Sequence, residues 1–507
     1  MNLVWFKKDL RITDHRPLYE ASLSSCIGLY VIENEWLTDS HTGHFHQVFL
    51  RECLSDLADA LAAFNIPLLI IRGDMLEVLA DVIKRYKISA VYSHMETGLW
   101  WTYQRDIAVG QLLNSQQIPW YEYPQFGVVR KLKTRDSWNG KRMSIVARPI
   151  IPLPQQQEQQ EEQEPQNRSA KECASQIPNQ DLMVLPERQD ELIQSGGRRM
   201  AEQALATFLK TRGQFYYKEL SSPLTAKTSC SRLSPYLSFG CLSMTEIHHA
   251  LRQHEHINQH WRRSLKAFED RLWWHCHFIQ KLEDEPEIEF ENVNPGFNGM
   301  RESNFDQTKF TAWCEGRTGY PIIDACMRSL KATGWINFRM RALLVSFGAY
   351  QLWLHWRPMA EYLAPYFLDF EPGIHFSQFQ MQSGVTGINT IRIYSPLKQS
   401  MDQDPNGEFI RHWVPELAAL DDSTIHEPHN APAMLLQMSG IELGQDYPYP
   451  IVDPKASYQE AKERIYSWRE RPEVKQFARG IITKHASRKN AHFPMQHRKP
   501  FGNLEQA

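Results

Sequence analysis

Residues 3–15 read LVWFKKDLRITDH, a short apolar run that opens into a loop dense in charge and empty of glycine. Comparable β-rich runs recur at Ile27–Ile32, Leu68–Ile71, Ala90–Ser93 and Trp120–Tyr123. Between them lie stretches with apolar residues three and four apart, among them His46–Phe64 (HQVFLRECLSDLADALAAF) and Met75–Tyr86. Strands separated by helices read as a doubly wound parallel sheet, an α/β domain over residues 1–130. The first loop lacks the G-x-G-x-x-G that brings a pyrophosphate close to backbone. Its charges, Lys7, Lys8, Asp9, Arg11 and Asp14, favour a loop tied down by ion pairs over a phosphate site.

Beyond that domain the composition shifts. Pro152–Gln166, PLPQQQEQQEEQEPQ, carries no bulky apolar residue after Leu153 and cannot offset its ordering entropy. It predicts a flexible segment inside an interdomain linker spanning 131–190. From Leu192 the periodicity is helical: Gly196–Leu209, Ser243–Gln253, Arg263–Leu282, Ile323–Ala332, Met340–His355 and Ser457–Phe477. Residues 191–507 therefore read as an all-α domain. Ser243-Met244-Thr245-Glu246 is a capping-box start. From Arg469 to Lys499 nine Lys/Arg face two Glu, with Phe477, His485, His492, Phe493 and His497 interleaved. A solvated surface and a phosphate-tracking patch both fit that pattern.

The 507 residues suit two to four domains, and 56 Lys+Arg against 59 Asp+Glu leave a net charge of −3. That balance excludes a polycationic nucleic-acid coat, but not a local basic face that binds DNA. Eight cysteines without a C-x-x-C pair favour a reduced, cytoplasmic protein. MNLVWFKKDLR shows no signal-peptide core, and no run reaches the roughly 20 apolar residues that span a bilayer. No membrane partner is expected, and the expected state is a monomer.

No metal site is expected. His275-Cys276-His277 would point about 100° apart on a helix, and a solvated helix entry explains His41, His44 and His46. Common NTPase, hydrolase and metalloprotease motifs are missing. Two segments are denser. Thr228–Ser243, TSCSRLSPYLSFGCLS, gathers hydroxyls and Arg232 before a helical run, which suits a diphosphate or a serine-rich helix cap equally. Gly316–Pro396 sets Trp335, Arg339, Arg341, Trp353, Trp356, Asp369 and Glu371 among apolar helices. Aromatic stripes are often core, yet paired charges and glycine-bearing turns shift this segment toward a large planar ligand.

These blocks, in this order, resemble the photolyase/cryptochrome family: LVWFKKDLRITDH, CSRLSPYLSFGCLS, EGRTGYPIIDACMRSLKATGWINFRMR, LDFEPG and DPNGEFIRHWVPEL. The resemblance covers nearly the whole chain. It implies FAD in the helical domain, light-driven electron transfer, and UV-damaged DNA as partner, with photoreception without repair as the alternative. It also implies an antenna chromophore of folate or deazaflavin type in the α/β domain, with Glu96 a candidate contact or simply an ion-paired residue. Carried over residue by residue, Tyr217 and Cys230, Ser231, Arg232, Leu233 and Ser234 would hold the FAD phosphates, and Phe268 would flank the flavin. Asn337, Arg341, Asp369, Phe370 and Glu371 complete the cofactor set. His375 would face flavin N5 as a hydrogen-bond donor. Trp274 would stack on the flipped-out lesion, with Arg339, Arg271 and Phe338 beside the DNA.

The chain departs from that pattern in places. Of the family's three relay tryptophans only Trp356 is kept, with Phe379 and Ser303 in the other positions. Arg271, Phe338, Met381 and Ala342 stand where cyclobutane-dimer enzymes usually have Glu, Asn, Trp and Met. The paired histidines of animal-type (6-4) enzymes are missing, and no cysteine after Cys326 could ligate an iron–sulfur cluster.

Overall fold

The computed structural model describes residues 1–157, 179–254, 258–303 and 305–486. Most of the Gln/Glu-rich run and the basic tail beyond Ala486, with His492, Phe493 and His497, lie outside the described residues.

Five strands form one parallel sheet: β1 (Asn2–Trp5), β2 (Cys26–Glu33), β3 (Leu68–Gly73), β4 (Ala90–His94) and β5 (Trp120–Tyr123), in the order β3-β2-β1-β4-β5. Asn2 on β1 pairs with Cys26 on one side and Ala90 on the other. The order reverses between β1 and β4, the switch point at whose C-terminal crevice open α/β sheets take ligands. Here the first loop occupies most of that crevice. The Asp9 carboxylate accepts from His15 Nε2 at 2.9 Å, from His94 Nδ1 at 2.7 Å and from the Lys7 amide at 2.7 Å. Lys7 Nζ reaches Asp106 at 3.0 Å, and Arg148 binds Asp14. The first loop is thus an ion-paired anchor. Asp9, His15 and His94 are at ligand spacing for a metal, yet both rings direct their contact to the same carboxylate oxygen, so they serve as a hydrogen-bonded clamp.

The rest of the chain is helical. The longest helix, Gln259–Asp284, packs against Pro372–Gln382. Two predicted helices are shorter. That beginning at Phe338 passes into a π turn at Phe347–Gln351 and stops before Trp353, whose φ of 57° is left-handed. The predicted Ser457–Phe477 helix breaks at Pro472, which lacks an N–H and instead starts a new helix, Pro472–His485.

The stretch 131–157, expected to be linker, is pinned. Trp138 on the helix Trp138–Val146 is fully buried, donates its Nε1–H to Gly127 O at 3.0 Å and meets Trp273 edge-on at 5.3 Å. Gln155 and Gln157 donate backbone N–H groups to Ser22 Oγ and Phe64 O. A single apolar core contains Val4, Phe6, Phe49 and Trp138 together with Tyr236, Phe268 and Leu368. The sheet and the helices therefore share buried surface.

Two of the three histidines at the entry of the helix His44–Ala62 join the two parts, while His44 faces water as expected. His46 donates Nε2–H to Phe367 O at 2.7 Å and accepts the Gly43 amide on Nδ1. Burial lowers its pKa to about 4, so it stays neutral. His41 bonds Asp39 and stacks on Phe370 at 5.6 Å. The apolar partners come from far along the chain, which local periodicity cannot reveal.

Candidate active site

A cavity of about 670 Å³ opens in the helical part. One wall belongs to the long helix, which turns Phe268, Arg271, Trp274 and His275 inward at i, i+3, i+6 and i+7. Further walls come from Pro372–Gln382 and from the segment Trp335–Val345.

At one end the helix Pro223–Ser229 stops at Cys230, and the chain passes through Ser231, Arg232 and Leu233 into the helix Ser234–Ser238. All five loop residues line the cavity. Arg212 gathers the carbonyls of Thr228, Cys230 and Ser231. The amides of Ser231, Arg232 and Ser234 find no protein acceptor among the described residues. Arg232 sits at φ 60°, a conformation a bulky residue adopts only when its surroundings hold it there. They do: its guanidinium lies 4.0 Å above the Trp335 ring, its Nε–H donates to Gln194, and Gln194 donates back to Arg232 O. Burial lowers this guanidinium to about 10, still charged near neutrality. Free amides, hydroxyls and a fixed cation make an anion cradle.

Deeper in, Arg341 Nη2 meets Asp369 Oδ2 at 2.9 Å, while its Nε–H donates to Ile336 O. Burial works to raise the Asp369 carboxyl, but the Arg341 charge and hydrogen bond outweigh it and hold the group below its ordinary range. Asp369 Oδ1 and Asn337 Oδ1 are buried without a hydrogen-bond partner among the described residues, although Asn337 Nδ2 is spent on Leu220 O and Ser221 O. Two unpaired buried acceptors in a cavity are costly unless a ligand supplies donors.

His375 also lines the cavity and packs on Phe379 at 4.6 Å. Its Nε2–H donates to Ala360 O at 2.8 Å, so Nδ1 of the neutral ring is an acceptor. Burial drives its pKa to about 3. The expected donor is therefore an acceptor toward any ligand, because its one N–H is already spent.

Several carried-over residues sit elsewhere. Tyr217 faces outward, its ring stacked on His260 and its hydroxyl 3.1 Å from His260 Nδ1; the neighbouring Tyr216 lines the cavity. On a helical turn adjacent residues diverge by about 100°, so a one-residue slip decides which tyrosine is inside. Phe370 and Glu371 turn toward the sheet: Phe370 stacks on His41, and Glu371 lies 3.9 Å from Lys8. Arg339 stands beside the lining residue Tyr394, its Nη1 at 3.5 Å from the hydroxyl. Arg271, Phe338, Met381 and Ala342 all line the cavity, with the Arg271 guanidinium 5.2 Å above the Phe338 ring. Trp356 is fully buried with Nε1 on Asn292 at 2.7 Å, whereas Ser303 is exposed. Sequence reasoning passed over His275 as part of an improbable metal site, yet it lines the cavity beside Trp274.

A second, small cavity of about 90 Å³ lies at the sheet's crevice, between Trp5, Tyr30, Trp101 and Phe370. Arg105 fills its side with bonds to Glu33, Glu96 and Asp106 at 2.6–2.8 Å. Glu96 is thus a buried ion-pair partner.

A doubly wound sheet docked on a helical cavity with an anion cradle at one end and a buried ion pair at the other suits a cofactor that carries phosphate. Residues 2–138 match the family model described as DNA photolyase, and residues 268–467 that described as the FAD binding domain of DNA photolyase. The chain belongs to the photolyase/cryptochrome family. It is 28% identical to the deoxyribodipyrimidine photo-lyase of Vibrio cholerae, covering 92% of this chain and 99% of that protein. It is 27% identical to the cryptochrome DASH of Gloeobacter violaceus, covering 92% and 95%. Among solved structures it superposes on a bacterial class III photolyase from Agrobacterium tumefaciens with a TM-score of 0.79, at 25% identity and covering 93% and 98%. The residues present suit FAD: the cradle fits a diphosphate, and the unpaired acceptors of Asp369 and Asn337 fit a ligand that carries donors. No helix among the described residues is long and apolar enough to cross a membrane.

Proposed function

We propose that this protein is a light-dependent DNA-repair enzyme, a deoxyribodipyrimidine photo-lyase that splits UV-induced pyrimidine dimers. The observation that carries the reading is the chemistry of the cavity wall. Trp274, Phe338 and Tyr394 offer flat faces, Arg271 and Arg392 line the same space, and the one lining carboxylate among the described residues, Asp369, is spent on Arg341. A flat, cationic recess selects an unstacked base on a polyanion, and a damaged step costs least to unstack.

When bound, FAD supplies the light-driven electron chemistry. This chain's residues would bind and orient it: Ser231, Arg232 and Ser234 at the phosphates, Phe268 and Tyr216 as apolar walls, Asn337, Asp369 and His375 as acceptors. Trp274 would hold the lesion. The folate or deazaflavin antenna draws no support from the interdomain crevice. Its 90 Å³ fall short of the roughly 300 Å³ at which ligand pockets begin.

The test is loss of dimers from defined oligonucleotides, one with a cyclobutane dimer and one with a (6-4) lesion, under light with flavin chemically reduced. Loss of either supports the reading; survival of both supports the runner-up, a blue-light photoreceptor without repair, which the cryptochrome names among the relatives favour. Trp274→Ala should weaken binding to damaged DNA by about 1–3 kcal/mol while leaving intact duplex nearly unchanged. Equal loss on both, in a titration by fluorescence anisotropy, would argue against stacking at Trp274.

A further inference from the structure

The strained turn of the anion cradle is held from outside the cavity, an inference that rests on reading the 230–234 loop as the diphosphate site. Arg232 at φ 60° is followed by Leu233 at φ −89° and ψ −10°, a left-handed residue next to a right-handed one. Such a pair turns successive N–H groups toward one point and forms an anion-binding concavity. The strain at Arg232 is thus part of the binding geometry, and it persists only where the surroundings impose it. Gln194, which lies outside the cavity lining, imposes it from both ends of the residue. Its Nε2–H donates to Arg232 O at 2.8 Å, and its Oε1 accepts the Arg232 Nε–H at 3.1 Å.

This clasp needs a side chain that donates and accepts at once, which a primary amide does without carrying charge. It also keeps the Arg232 carbonyl, an acceptor, occupied by a donor of the protein. Gln194 is itself fixed. Arg188 meets Glu52 at 2.7 Å and donates to the carbonyls of Ile193 and Gln194. The Tyr236 hydroxyl donates to Ser195 O at 2.7 Å. The amides of Gly196, Gly197 and Arg198 donate to Glu52, Cys53 and Asp56 on the helix His44–Ala62. A helix that flanks the sheet therefore anchors the residue that shapes the cradle. We propose that Gln194 is a positioning residue for the cofactor: it locks Arg232 in the left-handed conformation and so gives the cradle its affinity for a diphosphate.

The experiment titrates the full chain, freed of flavin, with FAD and with riboflavin, which carries the flavin ring and no phosphate. Gln194→Leu should weaken FAD about five- to a hundredfold, the range set by the strain of one left-handed residue, and leave riboflavin nearly unchanged. Gln194 is only partly buried, so urea unfolding of the flavin-free variant should stay close to wild type. A second background isolates the turn. Glycine takes a positive φ without steric cost, so Arg232→Gly needs no clasp. Adding Gln194→Leu to Arg232→Gly should therefore cost little further FAD affinity. If Gln194→Leu weakens FAD by the same factor in both backgrounds, Gln194 does not act through the turn and the inference fails. Equal loss of FAD and riboflavin, or no loss of FAD, also overturns it. A wild type that binds FAD no more tightly than riboflavin would instead bring down the reading of the loop as the diphosphate site, and this inference with it.

Discussion

Asp369→Asn is expected to yield a protein that purifies with little or no flavin. The substitution keeps the shape of the side chain and removes its charge. In the wild type that charge is anchored by Arg341 at 2.9 Å and by burial within the cavity wall, with Oδ1 unpaired. A hydrogen bond to a charged acceptor contributes about 1.5–3 kcal/mol, so flavin affinity should fall about ten- to a hundredfold. The variant also leaves Arg341 without its counter-charge. Removing one partner of a fully buried pair costs about 3–5 kcal/mol; with a quarter of the Arg341 side chain exposed, about 2 kcal/mol is the better expectation. Two readouts separate the effects. Flavin absorbance per protein reports the ligand, and urea unfolding of the flavin-free protein reports the pair. The double variant Arg341→Met with Asp369→Leu should recover the unfolding midpoint without recovering flavin. Full flavin retention in Asp369→Asn would show that this carboxylate does not face the cofactor.

The parts of the fold that local pattern controls were legible. All five strands fall within a few residues of their predicted spans, because each is a short β-rich run bounded by helical spacing, and a parallel strand is apolar on both faces. The cavity was legible only in part. Its members lie on six segments, and it was the order of motifs, not periodicity, that brought the 230–234 loop, Phe268, Trp274, Arg341 and Asp369 together. Tyr216 was missed because two tyrosines adjoin on one short helical turn, and nothing local says which points inward. Phe370 and Glu371 follow Asp369 directly, yet the chain rotates there so that consecutive residues serve different partners: Asp369 the cavity, Phe370 and Glu371 the sheet. The same long-range packing hid His41 and His46, whose partners are over 300 residues away. The acceptor role of His375 depends on Ala360 O, a backbone atom invisible to a side-chain pattern.

Glu371 gives the second large effect, because it carries a charge into the contact between sheet and helices. It is buried at 4% exposure, its Oε1 has no hydrogen-bond partner among the described residues, and Lys8 Nζ lies 3.9 Å from its other oxygen. Burial pushes its pKa up to about 7; Lys8 works against that shift, and Glu96 adds to it. The folded chain therefore holds this proton more tightly than the unfolded chain, whose glutamates titrate near 4.3. Its favourable contribution is complete below about pH 4.3 and is lost as pH rises through about 7, by roughly 3 kcal/mol across that interval. Glu371→Gln removes the ionisable group and keeps the shape, and Lys8, with 30% of its side chain exposed, stays hydrated without it. The variant should thus be more stable than wild type by about 3 kcal/mol at pH 8 and nearly equal to it at about pH 4. Urea unfolding of both proteins at the two pH values decides the matter. Glu33 and Glu289, also raised to about 7 by burial, titrate alike in both proteins and cancel from the difference. A gap of the same size at both pH values would mean that Glu371 stays ionised throughout, with Lys8 fully compensating its burial.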